Sequence, residues 1–164
     1  MTNMIRILGI DPGLRRTGWG VVESNGNKLR FLESGVITAK TTLALSDRLQ
    51  TIFGELGKII DRLDPDCAAI EGSFVSVNAG SAMKLGHARA AAMLAASNAG
   101  LSVGEYAPRT VKQALVGSGG ADKAQIAAMV AILLPGTNTS GDEADALSVA
   151  ICHAHHGSKL MRSA

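Results

Sequence analysis

No apolar run free of charge reaches the ~18 residues that a membrane-spanning helix requires, so the chain is not expected to enter a membrane. Cysteine is scarce. Cys67 and Cys152 sit in apolar segments without a C-x-x-C pattern, which fits free buried thiols in a reducing cytoplasm. The N-terminal MTNMIRILGID runs straight into a strand-like segment and offers no signal-peptide core, and cytoplasmic placement is the expectation. Aromatic residues make up only 3% of the chain, so any aromatic in a loop stands out. Internal repeats, linkers and low-complexity tails are lacking too. The net charge is only +2, a weak pointer to partners.

What is there is a chain of 164 residues, 46% hydrophobic, long enough for one domain with a proper core and short for two. Its bulk is read as one domain over residues 1–157, followed by a short C-terminal tail, 158–164. Three strand-like runs come first, Ile5 to Asp11, Thr17 to Ser24 and Leu29 to Thr38, separated by Pro-Gly and by Asn-Gly-Asn turn chemistry. They predict an antiparallel meander. Leu45, Leu49, Ile52, Leu56, Ile59 and Leu63 recur at steps of three and four, the pattern of an amphipathic helix ended by Asp64-Pro65. Cys67 to Glu71 predicts a fourth strand, Ala82 to Ala99 an Ala-rich helix and Leu101 to Tyr106 a fifth strand. In that Ala-rich helix Met83, Ala90 and Leu94 lie on one side and Leu85, Ala92 and Ala96 on another, so either a partner helix is expected on one of them, with alanines permitting close approach and Ala92→Glu or Ala96→Glu splitting the pair, or both are buried within the same chain. Helices are expected over Arg109 to Val116, Ala121 to Leu134 and Asp142 to His155. The order β-β-β-α-β-α-β-α-α-α implies an α/β fold with a mixed five-stranded sheet flanked by helices.

Asp11 interrupts the hydrophobic stretch ILGIDPGLRRTGWGVV. A charge inside a strand buried on both faces costs several kcal/mol unless it is paired or bound to a metal. Asp-Pro-Gly is also strong turn chemistry, which gives Asp11 a purely structural alternative. Glu71 closes the fourth strand. If the first and fourth strands are neighbours, both carboxylates emerge at one edge of the sheet. Asp142 and Asp145 stand at i, i+3 on one helix face, so four carboxylates can converge. Oxygen-only clusters suit hard cations, and two Mg²⁺ ions can activate water and stabilise the leaving oxygen in phosphodiester hydrolysis.

Structural alternatives exist for these acids. Ser140-Gly-Asp-Glu143 matches a capping box, and acids in a first helical turn favour the macrodipole without any chemistry. Glu71 can be a strand-end acid facing solvent. Between Gly72 and Gly141, five basic residues (Lys84, Arg89, Arg109, Lys112, Lys123) face two acids, Glu105 and Asp122. With the four clustered carboxylates neutralised, 10 of the 14 acids would remain against 16 Lys and Arg, a surface able to attract a polyanion. GSGGADK can offer backbone N–H groups and Lys123 to a phosphate, or be an ordinary loop. His153, His155 and His156 are read as a solvated helix end, since no Cys or Asp completes a ligand set nearby.

In order along the chain, LGIDPGLRRTGWGVV, AIEGSF, KLGHARA, VKQALVGSGGADKAQ and DEADALSVAICHAH resemble the RuvC family of bacterial Holliday junction resolvases. The likeness covers nearly the whole chain. G-I-D-x-G also opens other RNase H-like and actin-like folds, so the specificity lies in five segments in one order at fitting spacing. The resemblance implies an RNase H-like fold, a homodimer, an endonuclease using two Mg²⁺ ions per site with Mn²⁺ as a substitute, and paired, symmetric nicks in four-way DNA junctions. It also implies the RuvA–RuvB branch-migration complex as a partner. By position, the family's acidic catalytic and metal-binding residues fall on Asp11, Glu71, Asp142 and Asp145, with His at the third position in some relatives. The loop aromatic that contacts DNA falls on Phe74, whose alternative is a core plug, and the DNA-contacting lysines fall on Lys112 and Lys123. This chain departs from many relatives after Phe74, where no Lys or Arg precedes Lys84.

Three other functions share parts of this pattern. An actin-like ATPase or sugar kinase needs two such domains, more than 164 residues supply. A small RNase H-like nuclease acting on ribosomal RNA precursors is a closer rival, against which AIEGSF and DEADAL argue. A binding module without catalysis is the third.

Overall fold

The computed structural model describes residues 3–72, 78–137 and 141–162, the last five by their backbone alone. Strands β1 (Ile5–Asp11), β2 (Arg16–Asn25) and β3 (Lys28–Thr38) form the expected antiparallel meander. Its second turn is tight because Gly26 takes a φ of +61°. Strands β4 (Cys67–Glu71) and β5 (Ser102–Tyr106) add on the other side of β1 and run parallel to it, giving the order β3-β2-β1-β4-β5. Parallel strands need crossovers, which the helices supply. Helices α1 (Leu45–Leu63) and α2 (Ala79–Asn98) cover one face. Helices α3 (Pro108–Val116), α4 (Lys123–Leu133) and α5 (Asp142–Arg162) cover the other.

Both faces are therefore dry over the middle of the sheet, which is why Ile7 to Ile10 of β1 and Cys67 to Ile70 of β4 read as unbroken apolar runs. Leu8, Ile10, Ala68 and Ile70 point toward α1 and α2, where they meet Ile52, Leu56 and Ile59. Ile7 and Ala69 point the other way, onto the α5 side. Because side chains alternate with period two, the last residues of β1 and β4, Asp11 and Glu71, also fall on the α5 side.

Glycine brings α5 down onto the sheet. A Cβ at Gly9 would lie 2.0 Å from the Ala146 carbonyl oxygen, and one at Gly18 would lie 2.0 Å from that of Asp142. Gly18 is paired with Asp11 across β1 and β2, so the start of α5 rests directly beside that acid. Gly18→Ala should force the helix to lift, at roughly 1–3 kcal/mol typical of overpacking, and lower the melting temperature. An unchanged melting temperature would mean that α5 tolerates the lift.

Helix boundaries moved for local reasons. Asp64 stops α1 in the left-handed conformation, φ 48°, just before Pro65. The N-cap Asn78 accepts from the Ser81 N–H and starts α2 at Ala79, ahead of the expected Ala82. Helix α4 begins at Lys123 rather than Ala121, because Asp122 and Gln125 close a reciprocal capping box. The carboxylate of Asp122 thus takes up one of the N–H groups at this helix N-terminus, that of Gln125, which the phosphate-site reading of GSGGADK would offer to a ligand. Helix α5 runs to Arg162, beyond His155 and across the 157/158 boundary drawn from sequence.

The histidine reading also needs correction. Only His155 is exposed. His153 Nδ1 lies 2.8 Å from the Tyr106 hydroxyl, and Tyr106 also packs against His156, so two of the three are half-buried packing residues. Burial holds His153 below its ordinary pKa. Both thiols are pushed up by burial, Cys67 to about 11 and Cys152 to about 12, which leaves them protonated and inert at neutral pH.

Helix α2 is apolar on more than one side, as its sequence predicts, but the two stripes divide the work differently. Ala88, Ala91, Ala92, Ala95 and Ala96 are buried in the core. Met83 and Leu94, 66% and 61% exposed, lie on the open side with Ala90. Ala92 and Ala96, expected to meet a partner helix, are internal.

Candidate active site

The parallel pairing of β1 with β4 sets Asp11 and Glu71 side by side at the C-terminal ends of their strands. Helix α5, seated through Gly18 and Gly9, carries Asp142 and Asp145 to the same place. The four acids share a cleft of about 360 Å³ with Lys112 from α3 and Lys123 from α4, walled by Leu85, Val111 and Ile126. A larger cavity of about 470 Å³ lies at the opposite ends of the strands, lined by Ile5, Cys67, Ser102 and His153 among others. It lacks this gathering of charge.

Electrostatics mark the cleft more sharply than its shape. Burial, then repulsion from Glu71, Asp145 and Asp142, pushes the Asp11 carboxyl up to about 7. Glu71 is raised as well, by burial and by Asp145, with Lys123 and Lys112 pulling the other way. Asp145 in turn draws Lys123 upward, its Oδ2 3.4 Å from the ammonium. Carboxylates forced together in a half-dry cleft without enough cations of their own are a setting that an added divalent cation relieves.

The donor set is all carboxylate, the chemistry of hard cations. Among the described residues no group of three is already closed into a metal cage. Asp142 is paired instead with Arg16, Nε to Oδ2 2.7 Å.

Six of the seven residues singled out from sequence thus line one cleft; Phe74 lies outside the described residues, as does Ser140 of the suggested capping box. Glu143 accepts from the Ser34 hydroxyl of β3 at 2.9 Å, a cross-link between helix and sheet that the capping reading did not foresee. Sequence reasoning also missed Arg16 and the seating role of Gly9 and Gly18. A signal was present: glycines at alternate positions of two adjacent strands mark a face that a helix approaches closely.

A mixed sheet in this order with helices on both faces, and acids at the ends of two adjacent strands, belongs to the RNase H-like class of nucleases. Residues 7–153 match the family described as "Crossover junction endodeoxyribonuclease RuvC". The chain belongs to the RuvC family of crossover junction endodeoxyribonucleases, hydrolases that resolve four-way DNA junctions in recombination and repair. It is 58% identical to the crossover junction endodeoxyribonuclease RuvC of Maricaulis maris (strain MCS10) over 95% of this chain and 94% of that one. Its fold is similar to that of T. thermophilus RuvC in complex with Holliday junction substrate, at a TM-score of 0.88 and 33% identity, covering 94% of this chain and 96% of that one. The yeast mitochondrial Holliday junction resolvase Ydc2 shares the fold at a TM-score of 0.65, with 14% identity over 96% of this chain and 83% of the other. Membership sets aside the kinase-like and ribosomal-RNA alternatives. No helix among the described residues is long and apolar enough to cross a membrane.

Proposed function

We propose that Asp11, Glu71, Asp142 and Asp145 hold two Mg²⁺ ions, with Mn²⁺ able to replace them, and that this cleft hydrolyses one phosphodiester bond in a strand of a four-way junction. The observation that carries the reading is the convergence of these four acids in one cleft with Lys112 and Lys123, where burial and the other three acids push Asp11 up to about 7. Divalent cations bound there supply an activated water and charge stabilisation for the departing oxygen. The chain's own residues set the rest. Asp11 and Glu71 are fixed by paired strands, and rigid strand ends hold a reacting geometry better than loops do. Lys112 and Lys123 line the same cleft and offset the negative charge of an approaching phosphate.

Mg²⁺ or Mn²⁺ should support nicking, while Ca²⁺ should support junction binding only, because its longer bonds and looser coordination place the water poorly. Full activity after exhaustive chelation would end the metal reading. Lys112→Ala and Lys123→Ala should each weaken junction binding and flatten its log–log salt dependence by up to about one unit. Normal binding of both variants across a salt series would move the DNA surface elsewhere.

Two copies are needed for two symmetric nicks, and the exposed side of α2 suits that pairing. Met83, Ala90 and Leu94 form an open stripe, continued by a shallow groove of about 500 Å³ lined by Met93, Leu94, Ser97, Leu101 and Val103. A two-fold dimer over this stripe would present two identical sites to a two-fold junction. The RuvA–RuvB branch-migration complex is the expected partner of such a dimer on DNA, and the cytoplasm its expected compartment.

A further inference from the structure

Among the described residues, Asp142 is the acid of the cleft that an arginine already holds. Arg16 Nε donates to Asp142 Oδ2 at 2.7 Å, and the arginine side chain remains 56% exposed. The backbone builds this contact at both ends. Arg16 opens β2 on the α5-facing side, two residues before Gly18, and it is at Gly18 that the Asp142 carbonyl comes down onto the strand. The neighbouring Arg15 is exposed and has no ion pair among the described residues. Only Nε of Arg16 is engaged there; its two terminal nitrogens donate to no described residue.

A guanidinium pairs with phosphate as readily as with carboxylate, often through two parallel hydrogen bonds. We propose that Arg16 is a positioning residue that keeps the Asp142 carboxylate in an ion pair rather than on a metal ion in the free protein and releases it when a DNA phosphate takes over the guanidinium. The fourth carboxylate then joins the site only with substrate. This rests on the reading of the four acids as metal ligands. The competition is between like partners: one carboxylate at 2.7 Å against a phosphate that can engage the two free nitrogens. A site completed in this way stays under-liganded in the absence of DNA.

Mn²⁺ binding to the DNA-free protein, followed by calorimetry, tests the first half. Arg16→Gln should bind Mn²⁺ roughly 3–10-fold more tightly than wild type, and Arg16→Lys should fall between them. Loss of a nearby positive charge contributes a part of this gain that does not depend on Asp142, so the comparison is repeated in the Asp142→Asn background, where the gain should fall to that part, no more than about half of the wild-type gain on a logarithmic scale. Arg15→Gln should change affinity little. Equal Mn²⁺ affinity of wild type and Arg16→Gln, or a gain of the same size in the Asp142→Asn background, overturns the proposal. Asp11→Asn separates the two levels of inference. If it weakens Mn²⁺ binding while Arg16→Gln does nothing, the metal site stands and the Arg16 role falls. If Asp11→Asn leaves Mn²⁺ binding unaltered, both fall. For the second half, junction binding in chelator should lose up to about one unit of salt slope in Arg16→Gln. An unchanged slope overturns the handover to phosphate.

Discussion

Asp11→Asn should bind a four-way junction as wild type does and cut it at least about 10³-fold more slowly, since loss of metal-borne charge stabilisation is worth several kcal/mol. Binding should survive because it rests on basic side chains, which the amide does not disturb. The same substitution has an opposite effect on the metal-free fold. Burial and the neighbouring acids raise Asp11 to about 7, so folding favours its neutral form. Stability from this group is complete below the ordinary Asp value of 3.8 and is lost as pH rises through about 7. The amide never ionises. At pH 8 without metal, the variant should therefore be more stable than wild type by roughly 1–3 kcal/mol, with the difference closing by about pH 4. Mg²⁺ should raise the wild-type melting temperature more at pH 8 than at pH 6, because protons compete for Asp11, and should raise that of the variant far less. Wild-type cleavage by Asp11→Asn would remove this residue from the site.

Leu94→Glu should convert the protein to a monomer that folds normally yet no longer makes paired nicks. Leu94 is 61% exposed on the open stripe of α2, so a charge there disturbs no packing within the chain, but a dimer would have to bury it. Wild type should sediment at twice the 16.9 kDa chain mass and the variant at that mass, with equal melting temperatures. Ala92→Glu is the contrasting substitution. Ala92 is fully buried against α1 and the sheet, and a carboxylate there should cost more than about 4 kcal/mol and unfold the domain rather than split a dimer. A monomeric Leu94→Glu that still resolves junctions by paired cuts would overturn the dimer proposal.

Much of this was legible before the structure, for identifiable reasons. β4 is legible to the residue because a four-residue apolar run closed by Glu71, between Asp66 and Gly72, leaves no freedom of boundary. Asp11 and Glu71 could be placed together because each ends a buried strand, and period-two alternation then fixes their common face. Helix α2 was harder. Its alanines satisfy several helical registers at once, so the sequence shows that two sides are apolar without showing which meets the sheet. Arg16 was not legible, because its partner is 126 positions away and the contact depends on the seating of α5 over Gly18. The five ordered motifs supplied the family, which periodicity alone could not.

Cleavage of a synthetic four-way junction beside a linear duplex of the same sequence, with products mapped on each strand, tests the central claim most directly. With Mg²⁺ present, cuts should fall in pairs at symmetric positions on two strands of the junction, the duplex should stay intact, and chelation or Asp11→Asn should abolish both cuts. Equal cutting of the linear duplex, or paired junction cuts that persist in chelator, would contradict a metal-dependent junction resolvase built on these four carboxylates.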